Sequence, residues 1–111
     1  MTAGARIDAG VCGFVTNVEV STEDGQFVRF GIESTCEKIR ALAEAIEQLG
    51  PVDAYQEISP GGGSLVLAAA RAVLSGCCAG CAVPVGIFKT MQVGAGLALP
   101  KDITISIAKE G

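Results

Sequence analysis

Two alternating runs joined by Glu23-Asp24-Gly25 constrain this chain more than any other feature. In Phe14–Val20 the residues Phe14, Thr16, Val18 and Val20 fall on one side. In Gln26–Glu33, Phe27 and Arg29 fall on one side and Val28, Phe30 and Ile32 on the other. A period of two is the pattern of a strand with one buried face. Asp-Gly between two such runs favours positive φ and so a tight reversal. The spacing therefore predicts an antiparallel hairpin that needs a second layer to cover its apolar side.

The remaining segments supply that layer. Ala5–Asp8 alternates briefly and reads as an edge strand. Ser34-Thr35-Cys36-Glu37 matches a capping box, with Ser34 as the cap and Glu37 reaching back to it. The helix that follows runs to about Leu49 with Ile39, Leu42, Ala43, Ile46 and Leu49 on one stripe, and Gly50-Pro51 ends it. Val52–Gly63 is a connector finishing in a glycine-rich run. No Lys-Ser/Thr follows that run as a phosphate loop requires, so it reads as a flexible linker with Ser64 capping the next helix. Leu65–Leu74 is an Ala-rich helix, apolar on nearly all sides and expected to be well buried. Val85–Leu97 is a third helix, with Pro84 suited to its first turn. Leu99-Pro100-Lys101-Asp102 turns the chain, and Ile103–Ile107 alternates perfectly as a last strand. The expected fold is one α/β (α+β) domain over residues 1–111. It has two layers: a small, mostly antiparallel sheet (hairpin plus C-terminal strand) covered by about three helices.

Composition narrows the function classes. With four Phe, one Tyr and no Trp, the core must be built from Ala, Val, Ile and Leu. The net charge of −4 comes without a basic cluster, which argues against nucleic acid and against anionic membrane surfaces as partners. No apolar run reaches the roughly 18 residues of a membrane span, and Met1–Gly10 lacks the apolar region of a signal peptide. The expected location is cytoplasmic. No histidine is present, which removes Cys-His nucleophile pairs and imidazole metal ligands. Phosphoryl transfer, Ser-His-Asp hydrolysis and nicotinamide chemistry also lack their parts, so a non-enzymatic role is expected.

The chemistry of the chain lies in its five cysteines. Gly76-Cys77-Cys78-Ala79-Gly80-Cys81-Ala82-Val83-Pro84 holds three of them on a tight connection between two helices. Cys12 sits between two glycines at a strand mouth, and Cys36 lies in the first turn of a helix, where unpaired N–H groups favour negative charge. If the helices cover one face of the sheet, these places meet at one end. Four thiolates then suffice for tetrahedral zinc or for an iron–sulfur cluster. The candidate ligands are Cys12, Cys36, Cys78 and Cys81, because Cys78-x-x-Cys81 has chelating spacing; Cys77 is a substitute. Asp8, Glu19 and Glu33 are the nearest candidate oxygen donors.

Two other readings remain open. Cys78-Ala79-Gly80-Cys81 also fits a redox dithiol, although no thioredoxin-like pattern surrounds it. Alternatively the cysteines pack as small hydrophobes in a metal-free structural domain that binds a protein partner or a second copy through Ala- and Gly-rich helix faces.

The residues Cys12-Gly13-Phe14, Glu33-Ser34-Thr35-Cys36, Cys81-Ala82-Val83-Pro84 and Ala95-Gly96-Leu97-Ala98-Leu99-Pro100-Lys101-Asp102 resemble the pattern of a small uncharacterised prokaryotic domain family. That likeness covers nearly the whole chain and implies no activity. A more distant likeness is to the U-type iron–sulfur cluster scaffold proteins, in the order and spacing of Cys12, Cys36 and Cys81. It would imply transient cluster or zinc binding. Phe14 stands where that family has an Asp, Thr35 and Glu37 replace its glycines, and its Pro-Pro segment is missing.

Overall fold

The structure is a computed structural model that describes residues 2–59, 61 and 63–111. Its four-stranded sheet runs in chain order, β1 (Thr2–Asp8), β2 (Val15–Ser21), β3 (Phe27–Ser34) and the two-residue β4 (Val52–Asp53), all antiparallel. The β2–β3 hairpin turns where the Asp-Gly signal lies, with Gly25 at φ 76°. The Asp24 carboxylate holds that turn by accepting the N–H groups of Gln26 and Phe27, both at 2.9 Å. Register follows the alternation. Thr16, Val18 and Val20 point inward, and Val18 and Val20 face Ile32 and Phe30 on β3 and Ala5 and Ala3 on β1.

Four helices lie among the described residues: α1 (Glu37–Gln48), the single turn α2 (Ala54–Glu57), α3 (Leu65–Val73) and α4 (Val83–Gly94). A 3₁₀ turn at Gly76–Gly80 separates α3 from α4. Helix α1 packs on β3, α4 packs on β1 and β2, and α3 lies against α1 and α4. The inner positions of the sheet thus meet the stripe Ile39, Leu42 and Ile46 of α1 and Val83, Ile87 and Met91 of α4. Every fully buried large side chain is aliphatic, Met or Thr, as a chain so poor in aromatics requires. The opposite face of the sheet carries Arg6, Asn17, Glu19, Arg29 and Glu33 and is open to solvent. This is the expected α+β architecture.

Two glycines set the distance between α4 and the sheet. A β-carbon on Gly86 would collide with the end of Ile7, and one on Gly94 would come within 2.5 Å of Val20 Cγ2. These contacts also orient the helix. Its N-terminal half lies over the end of β1 and its C-terminal end over the start, so α4 runs opposite to β1. The stretch Gly76–Gly94, taken as one, is long and apolar enough to pass for a membrane span. Extended backbone at Cys81 (ψ 135°) breaks it, however, and α4 buries Val83, Ile87 and Met91 inside the protein.

Four expectations are corrected. Ile103–Ile107 forms no strand; residues 101–111 have no regular structure and are exposed throughout. Alternation qualifies a segment for a sheet but does not supply the neighbouring edge it must bond to. Helix α3 buries Val66 and Ala70 only, leaving Leu65 and Leu67 exposed, because it forms an outer layer and not the core. The connector after α1 contains β4 and α2, which are too short for periodicity to reveal. Its Ser64 does cap α3, accepting the Leu67 N–H at 2.9 Å; Pro60 and Gly62 of the glycine-rich run lie outside the described residues. Finally, the capping box at α1 does not form, for the reason given below.

Candidate thiol site

The end of the sheet where β1 stops and β2 starts collects the cysteines. Asp8 pairs with Val15 and Thr16 with Ser34, so the β1–β2 loop carrying Cys12 and the β3–α1 junction carrying Cys36 lie at the same end. The contact between Gly86 and Ile7 brings the start of α4, and the 3₁₀ turn before it, to that end as well. Three segments distant in sequence therefore share one rim.

A hydroxyl network fixes Cys36. Ser34 Oγ and Thr16 Oγ1 are 2.8 Å apart, and the Cys36 N–H donates to Ser34 Oγ at 3.1 Å. The Val15 N–H donates to Thr35 Oγ1 at 3.2 Å, which ties the start of β2 to the same junction. Ser34 belongs to β3 and spends its hydroxyl there, so the capping residue of α1 is Cys36 itself, with no side-chain capping bond. A sequence reading places the cap two residues early because the capping box takes no account of the strand before it. The Cys36 side chain, half-buried, packs on the edge of the core.

The 3₁₀ turn sets the second group. Cys78 N–H donates to the Ser75 carbonyl and Cys81 N–H to the Cys78 carbonyl, both at 3.1 Å. In such a turn residues i and i+3 eclipse, so Cys78 and Cys81 project to one side. Both are half-buried against the core, whereas Cys77 is exposed. Partial burial is the first cause that pushes the Cys78 thiol above its ordinary value, aided by a hydrogen bond with the Cys77 side chain; the Lys38 ammonium opposes the shift. Lys38 escaped the sequence reading, and Cys77 entered it only as a substitute ligand. Lys38 follows Cys36 by two positions, but only the fold sets it beside the Cys77–Cys78 pair.

Cys12 rides on the exposed β1–β2 loop. That loop reverses at Gly10 (φ 95°) and Gly13 (φ 74°), closed by the Gly13 N–H on the Gly10 carbonyl at 2.9 Å. Asp8 serves the loop by accepting the Gly10 N–H at 3.1 Å, and Glu19 and Glu33 lie on the open face of the sheet. All five cysteines are free thiols. Among the described residues, no three Cys, Asp or Glu side chains stand close enough to hold a metal ion as they are. The fold brings the four candidate ligands to one end without closing them into a cage.

Among known proteins, the model of a family of unknown function (DUF6951) matches residues 3–107 of this chain. No curated protein and no solved structure matches it, so no similarity to an iron–sulfur scaffold is found.

Proposed function

The chain belongs to the DUF6951 family, and from its cysteine-bearing end we propose that it binds zinc or an iron–sulfur cluster through Cys12, Cys36, Cys78 and Cys81. The observation that carries this reading is the meeting of the β1–β2 loop, the start of α1 and the 3₁₀ turn on one rim. Cys78 and Cys81 form a chelating pair on a single turn, and Cys36 is held by the Ser34 hydroxyl two residues before it. Cys12 completes the set from a loop with glycines on both sides, so the cage closes when the metal arrives. Thiolates without histidine favour soft metals. Such a site, with one ligand on an exposed loop, suits a carrier or scaffold, and the order of Cys12, Cys36 and Cys81 resembles that of the U-type scaffolds.

A dithiol redox role for Cys78 and Cys81 is the second reading, favoured by the same turn geometry. Burial raises the Cys78 thiol, however, and a raised thiol is a poor attacking group. Metal binding ranks first because Cys12 and Cys36 lie on the same rim, and a dithiol role has no use for them.

Metal analysis of anaerobically purified protein tests the proposal. About one zinc, or one cluster, per chain is expected, with loss on Cys→Ser change at each of the four positions and retention in Cys77→Ser. If Cys12→Ser and Cys36→Ser leave the metal content unchanged, the ligand set is wrong. If metal-free protein instead loses two electrons and two protons to an added disulfide oxidant as Cys78 and Cys81 join, and regains them from a dithiol reductant, the redox reading replaces it.

A further inference from the structure

Two unpaired features of this molecule match each other. The first is the outer edge of β1, a seven-residue strand at the end of the sheet with no strand beyond it. Natural sheets blunt such edges with Lys, Pro or a bulge. Thr2–Asp8 carries no Lys or Pro, holds one mid-strand charge in Arg6, and pairs with β2 without interruption. Its inward residues Ala3 and Ala5 are small and half-exposed, and Val85 on the neighbouring helix α4 is 56 % exposed. The second feature is the arm that follows α4, where Ile103, Ile105 and Ile107 alternate with polar residues and are 53, 65 and 90 % exposed. The family match extends to residue 107, so the arm belongs to the domain. The molecule measures 49 × 29 × 27 Å, elongated as a chain with a projecting segment is.

We propose that the arm of one copy adds as a further strand to the β1 edge of a second copy, and that the exchange is reciprocal. Chain direction favours the second copy over the arm's own β1. Because α4 runs opposite to β1, a strand following α4 by a short connection would run parallel to its own β1. Every other pair in this sheet is antiparallel, and parallel pairing is slightly weaker. A second copy accepts the arm in the antiparallel sense. Charge then selects the register. Placing Asp102 opposite Arg6 on the open face sets Ile103 beside Ala5 and Ile105 beside Ala3 on the helix-covered face. Sliding by two residues would set Asp102 against Asp8 in one direction and against Gly4, with no charge to pair, in the other. An arm of this length hides roughly 400 Å² of itself and as much of its host, so two exchanges bury about 1,600 Å², the size of a stable interface. This inference does not depend on the metal reading.

The test is the mass of the full chain in solution, measured by light scattering and sedimentation in reductant and chelator so that neither disulfides nor metal link the copies. The full chain is expected to be a dimer. A chain ending at Pro100 is expected to be a monomer with an unchanged circular dichroism spectrum, since every residue of the arm is exposed and outside regular structure. Ile105→Lys is expected to weaken the dimer about 100-fold, by removing a buried isoleucine and burying a charge. Asp102→Arg weakens it about tenfold, and Arg6→Asp in the same chain restores it. Those N–H groups of Thr2–Asp8 that face away from β2 exchange slowly in the full chain and fast in the shortened one, while those bonded to β2 stay protected in both. A shortened chain that stays dimeric overturns the proposal. A full chain that is monomeric at about 100 µM does so too, since a stable interface of this size dissociates well below that.

Discussion

Gly94→Ala tests how α4 is seated on the sheet. The added methyl would lie 2.5 Å from Val20 Cγ2 and 3.6 Å from Ala3 Cβ. Ordinary contact needs about 3.5–4.0 Å, so the helix end or the strand must yield by roughly 1 Å. Val20 is fully buried and β-branched, with restricted χ1 freedom inside a packed core. Overpacking of this kind costs about 1–3 kcal/mol. Gly94 is not among the positive-φ glycines, so alanine would recover helix propensity, up to about 1 kcal/mol and less at the last helical residue. The net expectation is a loss of about 1–2 kcal/mol, or roughly 4–8 °C in Tm. Gly86→Ala is the control. Its obstruction is Ile7 Cδ1 and, at 2.9 Å, Cγ1, on a half-exposed side chain at the end of β1 that has solvent to turn into, and Gly86 lies inside the helix, where the propensity gain is larger than at Gly94. It should fall within about 1 kcal/mol of wild type. Urea unfolding of both variants, alone and with Val20→Ala, measures the coupling. With Val20 cut back, Gly94→Ala should become neutral or stabilising. An equal effect in both backgrounds would mean that Val20 does not set the distance between α4 and β2.

Three further outcomes are expected. Glu57, only 5 % exposed, accepts from Ser64 Oγ (2.6 Å), Leu65 N–H (2.7 Å) and Val66 N–H (3.0 Å), so Glu57→Ala should cost about 2–3 kcal/mol and free the start of α3 to hydrogen exchange. Asp24 is held below its ordinary value of 3.8 by the Gln26 and Phe27 N–H groups. Its contribution is present above that value and disappears as pH falls through the lowered one, so Asp24→Ala should flatten the acid limb of a stability–pH curve. Cys78 is displaced upward from 9.0, so its contribution is intact below that value and declines as pH rises through the folded one. Mass-spectrometric alkylation should therefore modify Cys77 before Cys78, and Lys38→Ala, by removing the opposing cation, should slow Cys78 further.

Part of the candidate site was legible without coordinates. Gly10 and Gly13 announced a turn around Cys12, and Pro84 announced a helix start just after Cys81; both signals rest on local dihedral preference. The place of Cys36 was misjudged by two residues because Ser34 had a strand partner in Thr16 that no local pattern reveals. Lys38 beside Cys77 and Cys78 was equally hidden, since its approach depends on how α1 and the 3₁₀ turn are set against each other.

The amino-acid order alone determined the β2–β3 hairpin, the presence of α1 with Ile39, Leu42 and Ile46 on its inner stripe, the Ser64 cap and an aliphatic core. Each follows from hydrogen bonds and side-chain periods spanning a few neighbouring residues. Tertiary structure decided what depends on a distant partner. Glu57 became a cap for α3 because α2 delivers it there, and the separation of α4 from the sheet came from two glycines meeting Ile7 and Val20. Ile103–Ile107 has every local mark of a strand and is none in a single chain, because a strand is completed by the hydrogen bonds of a neighbour and within one copy the segment is paired to none.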